Sequence, residues 1–211
     1  MRKDTKAREK GQLSLYRHST VYHPLRKGLG LTIFEFCLLD TLLRNSRRNE
    51  YSKGVSFLSD HISVSRNRVY DALHSFNVRG WLNGDPNERT FQFNLELVER
   101  WEDARNQYGE NLRYTKVFHA LRGELGIDFK AYCLLDAVYH LSKSKGVSIA
   151  HPNYFEKVFD IPERDFYRKR RDLAPYLTRS GISGLKLKPE IQAKFNQYLT
   201  LSGEKCSKTA E

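Results

Sequence analysis

The chain writes the four-residue word CLLD twice, at residues 37–40 and 133–136. The match extends in both directions without a gap. VYHPLRKGLGLTIFEFCLLDTL (residues 21–42) aligns with VFHALRGELGIDFKAYCLLDAV (residues 117–138), and ten of the 22 positions are identical. SKGVS at 52–56 returns at 144–148, and NLELVERW (94–101) has a weaker echo in KPEIQAKF (188–195). The period is near 95 residues. Solenoid units run to about 20–50 residues, whereas about 50–200 is the size of a domain. The sequence therefore predicts two tandem domains of one fold, produced by internal duplication. The boundaries read as a basic tail (1–12), a first domain with a trailing helix (13–108), a second domain with a C-terminal helix (109–203) and a polar tail (204–211).

The balance of charge narrows the partner. Lys and Arg number 36 against 25 Asp and Glu, giving a net charge of +11. So basic a chain is matched to a polyanion, and nucleic acid is the first expectation. No apolar run approaches the ~20 residues of a membrane span. The first ten residues, MRKDTKAREK, have no apolar region behind their charges, unlike a secretory signal. An intracellular protein, cytoplasmic or nucleoid-associated, is expected. Three cysteines give neither a disulfide framework nor a CxxC zinc spacing, and no cofactor or metal is expected.

Along the first copy the pattern predicts a helix over 33–44 with Thr32 as its N-cap. RNSRRNEYSKG reads as a loop. A short amphipathic helix over 56–62, capped by Ser56, follows. After a turn at Val64-Ser65 comes a periodic helix over 66–76, with Val69, Ala72, Leu73 and Phe76 on one buried face. Gly80 stops it. Trp81-Leu82 opens a strand, NGDPNE is a turn cluster, and RTFQFN alternates as a second strand. Leu95, Val98 and Trp101 space a further helix after the hairpin, ending at Gly109. In the second copy Pro189 opens the corresponding helix.

This order, carried by FLSDHISVSRNRVYDALHSFNVRGWL and the hairpin after it, resembles a winged helix-turn-helix domain. The resemblance covers residues 31–94. It implies a mainly α fold with small β-hairpin wings, in two tandem winged-helix domains, and double-stranded DNA as the ligand. The second copy departs from it. HPNYFEKVF is aromatic-rich, Lys169 and Arg170 stand where the first copy has Ala72 and Leu73, and the RSGISGLKLK wing is short.

In a helix-turn-helix the N-terminal part of the second helix enters the major groove. There Arg pairs with guanine edges and Asn with adenine edges. Ser65, Arg66, Asn67, Arg68, Tyr70 and His74 are the candidates in the first copy. A wing Arg89 is placed to reach the minor groove. In the second copy Arg164, Tyr167, Arg168, Lys169 and Arg171 form a denser basic set. Such a set suits phosphates, which position a protein without reading sequence. RKRR also fits a nuclear import patch.

Each copy also repeats a His, an Arg, a Cys and an Asp: His23, Arg26, Cys37 and Asp40, then His119, Arg122, Cys133 and Asp136. A nucleophile is one reading. However, Cys37 and Cys133 lie on the most apolar helix of each copy, where free Cys is a small buried hydrophobe. A buried Asp needs a partner, and the preceding His or Arg is expected to be it. No enzyme is expected. The function read from the sequence is a sequence-specific binder of double-stranded DNA, acting as a transcription regulator or as a replication initiator of a mobile element. A homodimer, or a partner from the replication or transcription machinery, is compatible with it. The alternative is a protein-interaction module, with HPNYFEKVF as its docking surface.

Overall fold

A computed structural model describes residues 18–85, 90–108, 114–145, 151–180 and 184–202. The chain divides into two compact units, one covering Ser19–Tyr114 and the other taking up the chain from Thr115. The described elements are mainly helical, with small antiparallel sheets. No described helix is long and apolar enough to cross a membrane.

The first unit opens with β1 (His18–Tyr22), α1 (His23–Gly28) and α2 (Ile33–Arg44). The repeated letters between these helices make one device. Gly30 adopts φ +63, the left-handed conformation glycine tolerates without strain. The Leu31 amide then bonds back to the Arg26 carbonyl at 3.0 Å, and that of Gly30 to Lys27 at 2.9 Å. This pair of bonds closes a helix C-terminus. The buried Arg26 side chain completes it, donating from Nη1 to the Leu31 carbonyl at 2.8 Å. Thr32 then starts α2 as predicted, with a reciprocal capping box to Glu35. Phe36, Cys37, Leu38, Leu39 and Leu42 are fully buried along α2.

The predicted loop after α2 contains a strand. Arg48 and Asn49 both have positive φ, and Arg47 and Glu50 exchange backbone bonds at 2.9 and 3.0 Å across them. That is the geometry of a two-residue primed turn. It delivers β2 (Glu50–Tyr51) to pair antiparallel with β4 (Phe91–Phe93), which also pairs with β3 (Leu82–Asn83). The expected two-stranded hairpin is thus a three-stranded sheet with β4 in the centre. Tyr51 stacks on Phe91 with ring centroids 5.1 Å apart. Helix α3 (Gly54–Ile62) begins two residues before the predicted start, and Lys53, not Ser56, is its N-cap. Helix α4 (Arg66–Val78) buries Val69, Ala72, Leu73 and Phe76 as expected. At its end Gly80 has φ +70, and the Trp81 amide bonds to the Phe76 carbonyl at 2.9 Å. The Phe76 and Trp81 rings meet over that closure at 5.6 Å.

Helix α5 (Leu95–Tyr108) follows, but on a different face from the one predicted. Leu97 and Trp101 are buried, whereas Leu95 is 62% exposed. Trp101 packs on Phe36 of α2 at 4.6 Å.

The second unit contains β5 (Tyr114–Phe118), α6 (His119–Glu124), α7 (Phe129–Lys145), α8 (Pro152–Phe159), α9 (Glu163–Asp172), β6 (Leu177–Ser180), β7 (Gly184–Leu187) and α10 (Pro189–Leu201). The closure of α6 repeats that of α1. Gly126 has φ +62, the Ile127 amide bonds to the Arg122 carbonyl at 3.3 Å, and Arg122 Nη1 donates to the Ile127 carbonyl at 3.0 Å. The faint echo near the C-terminus is also a packing echo. Phe195 of α10 stacks on Tyr132 of α7 at 5.8 Å, at the positions aligned with Trp101 and Phe36. Strands β6 and β7 form an antiparallel hairpin from Leu177↔Leu187 to Ser180↔Gly184.

The partner predicted for the buried aspartates is corrected. Asp40 accepts from Arg44 Nε at 2.9 Å, one turn further along its own helix, and from the Thr20 backbone and Ser19 hydroxyl. Its carboxyl does tie α2 to the segment before it, but through β1 rather than through His23 or Arg26. Burial outweighs these contacts and raises its pKa above the ordinary aspartate value. Asp136 likewise faces the residue one turn on, with His140 Nε2 at 3.5 Å. Cys37 and Cys133 are buried and unbridged.

Candidate nucleic-acid interface

Both units place a short helix, a tight turn and a longer helix in succession, and both turns pivot on a non-glycine residue in the left-handed conformation. In the first, Ser63 (φ 51) ends α3, with its N–H on the Ser59 carbonyl. The Ser59 hydroxyl donates to the Val64 carbonyl at 2.6 Å, which pins the turn from inside. Ser65 caps α4, accepting from the Arg68 amide at 3.4 Å. In the second, Asp160 (φ 54) ends α8 with its N–H on the Glu156 carbonyl, and Pro162 stands at the N-cap of α9. Asp is among the few side chains that tolerate this conformation. Pro162 has no side-chain oxygen to cap with, but its φ of −55 leads directly into the helix.

Sequence pattern places the faces of α4 correctly. Arg66, Asn67, Tyr70 and His74 are exposed, opposite the buried stripe. Among the described residues their side chains make no hydrogen bond, ion pair or ring contact. Arg68 differs from them. Its guanidinium lies over the Phe34 ring of α2, 4.3 Å from the centroid, so it packs α4 onto α2 although its residue is exposed. Arg89 lies outside the described residues.

The second unit sorts its basic set more sharply. Arg164 and Arg171 are exposed and free of ion pairs among the described residues. Tyr167 is 48% exposed and occupies the position of Tyr70. Arg168 is exposed but donates to Asp165 at 2.8 Å. Lys169 is turned inward, its side chain only 13% exposed, and bonds to Asp128. Asp128 is at the start of α7, where its other oxygen accepts from the Ala131 amide at 2.8 Å. Burial alone would raise the Asp128 carboxyl, but the Lys169 ammonium and the Ala131 amide outweigh it and hold the pKa below the ordinary value. Lys130 meets Asp165 at 3.1 Å, and its hydrogen bond lowers the Asp165 pKa. Two ion pairs therefore fasten α9 to the start of α7. Lys169 belongs to this framework, where the first unit uses the buried Ala72.

The aromatic HPNYFEKVF stretch turns its phenyl rings inward. Phe155 and Phe159 are buried and stacked 5.6 Å apart, and Phe166 closes on Phe155 at 5.0 Å. These rings form core rather than a docking surface. Two arginines outside the expected set remain accessible, Arg170 half-buried and Arg179 exposed. Arg170 and Arg179, with Tyr167 and Arg171, line a pocket of about 520 Å³ between α9 and the β6–β7 hairpin. The only signal for Arg179 is an Arg in a short strand, which periodicity does not distinguish from any exposed position.

Among the described residues no group of three or more His, Cys, Asp or Glu is placed to hold a metal. No protein-family model, curated protein or solved structure matches the chain.

Proposed function

We propose that the protein binds double-stranded DNA through two tandem winged helices, with α4 and α9 as the helices that approach the duplex. The observation that carries this reading is the pair of helix–turn–helix elements. In each, the second helix keeps polar side chains that are unpaired among the described residues, Arg66 and Asn67 on α4 and Arg164 and Arg171 on α9, on a chain of net charge +11. A protein that used these side chains internally would pair them, as it does Lys169 and Arg68. On α4, Arg66 and Asn67 are the residue types that read guanine and adenine edges. On α9, Arg164 and Arg171 supply charge without an amide reader, which suits phosphate contact. Two linked domains raise the effective concentration of the second once the first has bound. By fold analogy alone, such a chain serves as a transcription regulator or a replication initiator of a mobile element.

The test is a salt titration of binding to random duplex and to the DNA upstream of the protein's own gene. Tighter binding to the upstream DNA, lost in Arg66→Ala/Asn67→Ala while random-duplex binding persists, supports base reading by α4. Absence of binding to both duplexes at low salt overturns the proposal.

A further inference from the structure

The lining of the pocket between α9 and the β6–β7 hairpin combines two kinds of side chain. Three arginines contribute to it, Arg170 and Arg171 from the helix and Arg179 from β6. None of the three is engaged in an ion pair among the described residues. Basic residues in a last helical turn complement the helix dipole, which would account for Arg170 and Arg171. It does not account for Arg179, which comes from a different element yet joins the same pocket. Ala174, Leu177 and Leu185 add apolar surface to the same lining, with both leucines buried and Leu185 paired across the hairpin with Arg179. Tyr167 also lines the pocket and has nearly half its surface exposed. The volume of about 520 Å³ lies in the range of about 300–1,000 Å³ typical of small-ligand sites.

Three guanidinium groups gathered without a neutralising acid suit a multiply charged anion, and arginine forks match phosphate oxygens in pairs. Apolar side chains and an exposed tyrosine in one lining suit a flat, weakly polar group, as in stacking of a nucleic-acid base on an aromatic ring. We infer that this pocket binds one nucleotide unit, its phosphate on Arg170, Arg171 and Arg179 and its base against Tyr167 and the apolar side chains of the lining. The choice of nucleotide as the ligand class rests on the nucleic-acid reading above. The unit comes either from a free nucleotide or from an unpaired strand. In the second case the second domain holds an unstacked strand while the first reads duplex.

The experiment is calorimetric titration of the full chain with deoxyadenosine monophosphate, inorganic phosphate and deoxyadenosine, with duplex binding measured in parallel. The monophosphate is expected to bind more tightly than either half alone. Arg170→Ala/Arg179→Ala is expected to weaken it by about tenfold or more, the loss of one or two charged hydrogen bonds. Tyr167→Ala is expected to weaken the monophosphate but not inorganic phosphate. Arg170→Lys/Arg179→Lys, checked for folding by circular dichroism, keeps the charge and retains part of the affinity. Competition by a short 5′-phosphorylated single strand at lower concentration than the monophosphate assigns the ligand to a strand; weaker competition assigns it to the free nucleotide. Inorganic phosphate binding as tightly as the monophosphate overturns the inference, as does undiminished binding by the double Ala variant. No monophosphate binding alongside intact duplex binding overturns it and leaves the duplex reading standing. Monophosphate binding without duplex binding does the reverse.

Discussion

The two units close their first helix in the same way, yet fasten α4 and α9 by different means. In the first, α4 is held by apolar contact: Val69, Ala72, Leu73 and Phe76 face inward, and the Arg68 guanidinium sits over the Phe34 ring. In the second, α9 has only Phe166 as a buried residue of its own, and charge does much of the fastening through Lys169 to Asp128 and Lys130 to Asp165. One scaffold can thus carry two surfaces. A helix anchored by hydrophobic burial can expose uncharged polar side chains such as that of Asn67. A helix anchored by ion pairs is already rich in charge, and the arginines left over, Arg164 and Arg171, suit phosphates.

The contrast is most open to attack in the cores. Phe76→Ala and Phe155→Ala each remove a fully buried ring, which costs about 3–5 kcal/mol. Urea denaturation of each variant is expected to show one of the largest losses of any single substitution in its unit. A loss under about 1 kcal/mol at Phe155 would return the aromatic stretch to the role of a docking surface.

The surfaces come next. Arg66→Ala or Asn67→Ala is expected to relax discrimination by about 1–3 kcal/mol at one base pair. Its effect on the salt slope should be small. Arg164→Ala or Arg171→Ala is expected to weaken binding to all sequences alike. Each should also reduce the slope of log K against log salt by about one for every phosphate no longer neutralised. Parallel salt titrations separate the two. Identical behaviour of the two sets would erase the proposed division between reading and anchoring.

Legibility in the sequence follows the same line. The stripe on α4, the Ser65 and Thr32 caps and the Gly80 stop depend on local spacing and on residues whose preference is strong. The gapless repeat is visible because Arg26, Leu29, Gly30 and their counterparts all serve one helix closure, where few substitutions work. Strand β2 is hidden because its turn puts Arg48, not Gly, at positive φ, and because two residues are too few to show alternation. The face of α5 is misleading because Leu95, Leu97 and Val98 offer two overlapping periodicities, and only packing against Phe36 selects Leu97 and Trp101. At the site, exposure can be read from pattern, but commitment cannot. Lys169 and Arg168 look alike in sequence, and the carboxylate that turns Lys169 inward is 41 residues away.

That commitment can be measured. Lys169→Met keeps most of the stem that packs inward and removes the ammonium. It is expected to lower stability by about 1 kcal/mol or less, because Asp128 is nearly half exposed and solvent screens the pair. Its effect on DNA affinity should be smaller than that of Arg164→Ala. A larger effect on DNA than on stability would move Lys169 from the framework to the interface.

The smallest expected effect separates the units by sign. Asp40 is raised by burial, so its native state holds a proton more firmly than its unfolded state. Stability then falls as pH rises from the ordinary aspartate value of 3.8 through the raised native value. Asp128 is lowered, since Lys169 and the Ala131 amide outweigh its partial burial, so its contribution is present above 3.8 and is lost as pH falls through the native value. Asn at either position keeps an acceptor for the backbone N–H that the carboxylate serves and removes the charge. Wild type is therefore expected to gain on Asp40→Asn as pH is lowered toward about 4, and to lose its advantage over Asp128→Asn as pH is lowered below about 4. Denaturation of the three proteins across that interval checks both signs. Parallel trends would mean that the Lys169–Asp128 pair does not distinguish how the second unit is held, because the one carboxylate stabilised by its partner would then titrate like the one its burial destabilises.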